Sequence, residues 1–474
     1  MQPSLFRFLL LPAIAIAFSG CNRARDVADP SPFAAQTADA STPAGAFSAR
    51  MAQLDKSGDF QSMVAAAQVR LASDANDQSA RYALALGSFY NGDFVLAAKE
   101  WETLTATPAY SQNAEVLEFL HVAQFLSGKY AGQRFQPVQS VPGDVAALSD
   151  QWRAQGAALI AAKKYDEIEK VAAQQTQNPT IMSDGGWTLA PFYVGLWGGT
   201  TDSKTDAQWQ TNHAQIEAWH AARPNSQLAR ICLARSWTNG AWTARGSEFA
   251  NKVSRQAWQT VEERQQKAAP IYQKLLSEKV TTPLLYAAAQ RFGRLGGAPR
   301  SWHDEIFARA IAQFPAYTDF YRERAIYLLP RWGGAPGEWE QDLQKSADAE
   351  QVRAGAVAGD QLYARVVWGQ TEFYGTMAAP QKTDLPHTGR QSRRMARYAQ
   401  IDWPRTQRGF DSILAQNPNS LSAATIYMRL RYQHGESTKA RELLQIVGGR
   451  AETKAWESPR DFAEARINIL RLLP

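Results

Sequence analysis

Apolar residues recur along this chain at helical spacing. Ala97, Trp101 and Leu104 lie four and then three positions apart, so they share one helix face, and Pro108 ends the run. Ile271, Leu275 and Leu276 cluster on one face of 269–276, as do Ile426, Tyr427 and Leu430 within 421–430. Three segments repeat one punctuation: a large apolar residue, a second one turn later, then a proline. They are Ile216-Trp219-Pro224, Phe307-Ala310-Pro315 and Phe410-Ile413-Pro418. Each predicts a helix that stops short of its proline. Alternating strand patterns are scarce, so the body reads as stacked helical hairpins.

A second signature recurs near the start of that body. Gly58-Asp59-Phe60 returns as Gly92-Asp93-Phe94 after 34 residues, and Gly128-Lys129-Tyr130 follows 36 later. A small-polar-aromatic triplet at this period resembles the turn between the two helices of a tetratricopeptide repeat. The glycine permits a left-handed turn and the aromatic packs between the helices. In the first copy Met63 and Ala67 take the inward positions. The expected fold is all-α, a helical-hairpin, tetratricopeptide-like solenoid in two sections. Pro137 to Pro142, followed by Gly143-Asp144, breaks the periodicity and sets a boundary near 140. The sections expected are 49–140 and 148–474. A second loop spans Met377 to Arg390.

The first 48 residues read differently. Arg7 precedes an apolar stretch from Phe8 to Phe18, too short for a membrane span, which needs about 20 apolar residues. It fits a cleavable export signal over 1–20. Phe18-Ser19-Gly20-Cys21 resembles the bacterial lipobox, with Phe18 where that motif usually carries Leu. The resemblance makes Cys21 the lipid acceptor and membrane anchor. Ordinary cleavage after Ala17 is the rival, but Asn22 to Ser48 is rich in Ala, Ser, Thr, Pro and Asp and reads as a flexible tether, 21–48. The expected address is the bacterial cell envelope, facing the periplasm. Asn22, rather than Asp, after the cysteine leans towards outer-membrane sorting.

Composition narrows the function. The 474 residues are 45% hydrophobic and 11% aromatic, with 15 Trp, which excludes a disordered chain. The net charge of +6 comes from scattered residues, so no nucleic-acid partner is expected. The densest basic stretch, Arg390, Arg393, Arg394 and Arg397, reads as a solvated loop or helix start. Cys232 lies in an apolar run and reads as a buried, inert thiol. The six histidines contain no HExxH pair, and His213 and His220 sit seven apart, too far to chelate one ion well. They are expected on helix surfaces. No P-loop, GxGxxG or GxSxG motif occurs. No metal, cofactor or catalytic residue is expected.

From about Leu148 the chain resembles the uncharacterised bacterial domain-of-unknown-function family 4034. The resemblance rests on Lys164 to Ile168, Asp184-Gly185-Gly186-Trp187, Phe192-Tyr193, Trp242 to Gly246 and Tyr327 to Gly334. It implies a helical repeat fold and a bacterial source, and no activity. In the last run Pro330 should end a helix, Trp332 should plug the gap between hairpins, and Pro336 should open the next helix with Glu338 in its first turn. Trp237, Trp242 and Arg245 form either a helix end with Arg stacked on Trp or a binding platform. With Arg331 and Trp332 they are the candidate partner-binding residues. The expected role is a non-enzymatic adaptor that binds a protein or peptide partner in the envelope; nothing fixes its oligomeric state. The rival is an envelope enzyme acting on peptidoglycan or another glycan. That rival requires a deep pocket with two carboxylates roughly 5–10 Å apart; a groove lined by Trp, Tyr and Arg favours binding.

The anchor is tested directly. Cys21→Ser is expected to abolish labelled palmitate incorporation and to release the protein into the soluble periplasmic fraction. A variant still recovered with membranes through detergent-sensitive attachment would refute lipidation at Cys21.

Overall fold

The computed structural model describes residues 42–130, 136–138, 143–197, 205–246, 250–377, 400–447, 450–452 and 459–471. The segment expected as an export signal, Cys21, most of the expected tether, and Arg390 to Arg397 lie outside them. The described residues carry twenty α-helices and fall into two compact units, 42–130 and 136 onward. The fold is all-α, with one parallel pairing of two three-residue strands. None of the described helices is long and apolar enough to cross a membrane.

In the first unit α1 (Pro43–Ser57) begins inside the segment expected as tether. Thr42 caps it, accepting from the Gly45 N–H at 3.1 Å, and Pro43 opens it. That pair is a strong helix start, and it outweighs the polar composition around it. α2 (Phe60–Ser73), α3 (Gln78–Asn91), α4 (Phe94–Thr105) and α5 (Ala114–Tyr130) follow.

The glycine triplet has a clear physical meaning. Gly58 (φ 71°) and Gly92 (φ 85°) end α1 and α3 in the left-handed conformation. Asp59 and Asp93 then cap α2 and α4 with their carboxylates, and Phe60 and Phe94 bury in the first turns. One residue stops a helix, the next starts another, and the third anchors the pair. The expected inward residues Ala97, Trp101 and Leu104 are fully buried, and Trp101 stacks on Phe119 at 5.4 Å. The third triplet departs from this. Gly128-Lys129-Tyr130 lies in the last turn of α5, not between helices.

The second unit holds β1 (Gln136–Val138), α6 (Val145–Ala161), α7 (Tyr165–Gln177), α8 (Leu189–Leu196), α9 (Asp206–Ala222), α10 (Gln227–Arg245) and α11 (Arg255–Ser277). Next come α12 (Leu284–Gly296), α13 (Arg300–Gln313), α14 (Asp319–Tyr327), α15 (Glu338–Ala354) and α16 (Ala356–Met377). The last elements are α17 (Trp403–Gln416), α18 (Leu421–Gln433), α19 (Ser437–Val447), β2 (Arg450–Glu452) and α20 (Pro459–Arg471). The α6–α7 turn uses the triplet geometry without glycine: Lys163 is left-handed at φ 55° and Tyr165 stacks on Trp219.

A different turn joins α9 to α10, α13 to α14 and α17 to α18. Arg223, Phe314 and Asn417 leave the helix at ψ 63°, and the N–H groups of Ser226, Tyr317 and Ser420 return to their carbonyls. Pro224, Pro315 and Pro418 occupy these turns, so the three helices stop short of their prolines as the spacing predicts. Pro336 does not open a helix. Gly337 (φ 79°) precedes α15, which starts at Glu338.

α6 and α8 cross with their backbones nearly touching. A Cβ on Gly195 would stand 2.0 Å from the Arg153 carbonyl oxygen, and one on Gly156 2.2 Å from that of Phe192. Distant segments also join. Buried Asp144, at the N-terminus of α6, accepts from Ser420 Oγ, Ser422 N and Ser422 Oγ at 2.7–2.9 Å. β1 pairs in parallel with β2.

Turn chemistry sets two opposite expectations for urea denaturation. Gly92→Ala should lower stability by about 1–2 kcal/mol, because a side chain is strained in the left-handed region. Lys163→Gly should raise it by up to about 1 kcal/mol. Equal signs for both would show that these turns do not limit stability.

Candidate functional site

Helix faces in the second unit converge on one cavity of about 410 Å³. Three of its walls follow the i, i+3, i+4, i+7 pattern of a single face. They are Ala190, Tyr193, Val194 and Trp197 from α8 and its end; Leu284, Ala287, Ala288 and Arg291 from α12; and Asp319, Arg322, Glu323 and Ile326 from α14. Ile231 and Arg235 of α10, Asp184, Tyr317, and Trp368 with Gly369 of α16 complete the lining. The walls are mostly apolar, yet six charged side chains enter.

Their pairing is uneven. Arg322 binds two carboxylates, Asp184 at 3.1 Å and Asp319 at 3.3 Å. Burial pushes the Asp319 carboxyl above its usual range, with Arg322 pulling the other way and Asp184 adding to the rise. Glu323 pairs with Arg294 at 2.7 Å. Arg235 is 9% exposed and its guanidinium lies 5.7 Å from the centre of the Trp197 ring. Burial, and then the nearby Arg291, lower its pKa to about 10, so it stays charged at neutral pH.

A second cluster adjoins the cavity through α12. Arg245 sits over the rings of Trp242, Trp258 and Trp332 at 5.5–5.9 Å. Arg294 spans Trp242 and Trp332, Arg291 lies over Trp242, and Arg331 lies 5.1 Å over Trp332. Trp242 meets Trp332 edge-on at 5.5 Å. Burial lowers the pKa of both Arg245 and Arg331; Arg331 adds to the effect at Arg245. Four of the five candidate residues therefore come together, from two segments read separately in the sequence. Trp237 does not join them. It projects from the opposite side of α10 and packs against Trp209 at 5.6 Å and His213 at 4.2 Å. At about 100° per residue it stands well away from Arg235 and Trp242.

Cys232 is fully buried and its thiol pKa is raised, first by burial. The histidines differ from expectation: His213 and His303 are buried rather than on helix surfaces. His213 bonds Ser236 at 2.9 Å and stacks on Trp209. His303 stacks on Tyr327 at 3.7 Å. A helical apolar pattern accepts a neutral imidazole as readily as an aromatic ring, which is why spacing alone misplaced them. Among the described residues no cluster of His, Cys, Asp and Glu could hold a metal ion.

The sequence reading missed the cavity. Asp184 and Tyr193 appeared in it only as marks of resemblance, and Arg235, Arg291 and Arg322 not at all. The available signal was arginine at the inward positions of otherwise apolar helix faces.

Residues 153–291 match the family described as "Domain of unknown function (DUF4034)". That stretch contains one side of the cavity, from Asp184 to Arg291; the other side, from Tyr317 to Gly369, lies past its end. A comparison with curated proteins finds no match.

His303 gives the site region an acid sensitivity. Burial, then the cations of Arg324 and Arg294, depress its pKa to about 4. An unfolded histidine titrates near 6.5. The neutral ring's contribution is thus complete above about pH 6.5 and is lost as pH falls from there towards 4. His303→Gln should show a smaller drop in melting temperature between pH 7.5 and 5 than the unaltered protein. An equal drop would place the acid sensitivity elsewhere.

Proposed function

We propose that the protein is a lipid-anchored, periplasm-facing adaptor whose second unit binds an acidic protein or peptide partner in the cell envelope. The observation that carries this reading is the meeting of Arg245, Arg291, Arg294 and Arg331 with Trp242, Trp258 and Trp332. The three tryptophans, Arg291 and Arg331 are half-buried, whereas Arg245 and Arg294 are buried; tryptophan and arginine are the residue types that dominate binding energy at protein interfaces. Guanidinium groups recognise carboxylates in a fixed fork geometry, and stacking on indole limits the entropy lost on binding. Anchored by Cys21 and a tether, the body would sample the space above the bilayer, raising its effective concentration near membrane partners.

A catalytic reading draws on Asp184 and Asp319, which share one cavity. Glycoside hydrolysis needs one carboxyl to donate a proton and another to attack or to activate water. Here both carboxylates are held in ion pairs with the same Arg322, which supports a structural role for them. The geometry favours binding.

The test uses the full-length protein in intact cells. A photo-crosslinking residue at Trp332 should capture a discrete partner. Arg331→Glu should cut that yield about tenfold or more, while the melting temperature stays within a few degrees. If the cluster serves stability alone, Trp242→Ala should cost about 3–5 kcal/mol and capture should fall only with unfolding. Turnover of an envelope polymer by purified protein, abolished by Asp184→Asn, would overturn the reading.

A further inference from the structure

The geometry points to the cavity between α8, α10, α12 and α14 as a binding site for a small amphipathic carboxylate, with Arg235 receiving the acid and the apolar helix faces holding the rest. This ligand is separate from the partner proposed above, and its test needs no partner.

The charge arrangement comes first. Three arginines and three carboxylates line the cavity, and none of the carboxylates forms an ion pair with Arg235. Asp184 and Asp319 are both held by Arg322, and Glu323 is held by Arg294. Arg235, more than nine-tenths buried, has no hydrogen-bond acceptor and no ion-pair partner among the described residues. Its neighbour on the wall is the Trp197 ring, which can stack on a guanidinium but cannot accept its five N–H groups. A buried cation without a hydrogen-bonded anion is costly, so an anion brought to it would be held tightly. Arg291 adds a second cation on the facing helix.

The apolar lining then selects the class of anion. Val194, Ile231, Leu284, Ala287, Ala288 and Ile326 offer no polar group to solvate a bare phosphate or sulfate. A ligand carrying one acid on a hydrophobic body satisfies both parts: the carboxylate forks onto Arg235, and the body displaces water from the helix faces. A volume of about 410 Å³ suits a medium-chain fatty acid or the terminal residues of a peptide. One shared chemistry, an apolar monocarboxylate, covers both.

The test is displacement of 1-anilinonaphthalene-8-sulfonate, a fluorescent amphipathic anion, from purified full-length protein. Octanoate and N-acetylphenylalanine are compared with octanamide and N-acetylphenylalanine amide. The acids should displace the dye at concentrations about tenfold or more below those of the amides, since a charge-assisted hydrogen bond in a buried site carries at least that factor. Whichever acid binds more tightly identifies the source, lipid-derived or peptide terminus. Arg235→Gln should erase the acid preference and melt no lower than the unaltered protein, because it removes an uncompensated buried charge. Arg235→Lys should keep a preference for the acids. If Arg235→Gln does not fold, the acid–amide comparison in the unaltered protein and Arg235→Lys decide the question. Equal displacement by acids and amides, an acid preference that survives in Arg235→Gln, or no binding of dye or acids would each overturn the proposal.

Discussion

An arginine keeps its charge wherever the chain places it, because its pKa lies too far above neutral pH for burial to remove the proton. A helical body that buries arginines must therefore supply anions or carbonyls for them, and here those partners tie helices together. Arg405 of α17 binds Asp348 of α15 and Asp360 of α16. Arg324 of α14 reaches Asp304 of α13 and Asp342 of α15. Arg264 of α11 bonds the Gly240 carbonyl and Asp206 while covering the Trp209 ring at 3.8 Å. Removing one partner from such a pair leaves an uncompensated charge and costs far more than the pair itself gains. Along the second unit these clamps fix which helix faces meet. Arg235 obeys the same rule with its partner withheld, so the interaction that knits the helices also marks where the structure is open to a ligand.

How much of this could be read from the sequence follows from the range of each interaction. The Gly-Asp-Phe turns are local: three consecutive residues supply the left-handed stop, the cap and the anchor, so Gly58 and Gly92 were legible directly. The proline turns after Trp219, Ala310 and Ile413 were legible for the same reason. Gly128 misled because it shares the glycine and the aromatic, whereas α5 runs on through all three residues of its triplet. Lys163 was passed over because its turn lacks the glycine that marks such a geometry. The α1 start was lost to composition, although Thr42-Pro43 spelled out its cap.

The site was less accessible. Trp242 with Arg245, and Arg331 with Trp332, could be singled out within their own segments, but their meeting depends on how α10, α12 and the corner after α14 pack. Trp237 was grouped with Trp242 by proximity in sequence, whereas helix geometry sends it to the other side. The cavity needs faces from Asp184 to Gly369, and no spacing rule connects Arg235 to Asp319. What the pattern did carry was the anomaly of cationic residues at inward positions, which a search for catalytic motifs passes over.

The contacts of Asp144 with Ser420 and Ser422, and the pairing of Gln136–Val138 with Arg450–Glu452, change what evolution can do with the second unit. An open array of hairpins tolerates duplication or loss of a repeat, since each copy meets only its neighbours. Here the early and late parts of the unit are bonded to each other, so adding or deleting one hairpin between them would pull Asp144 away from its serines. The number of hairpins is thereby locked. Diversity among proteins built this way should accumulate as loop insertions and side-chain exchange around a constant helix count, with the N-terminal hairpins, outside that lock, free to vary in copy number.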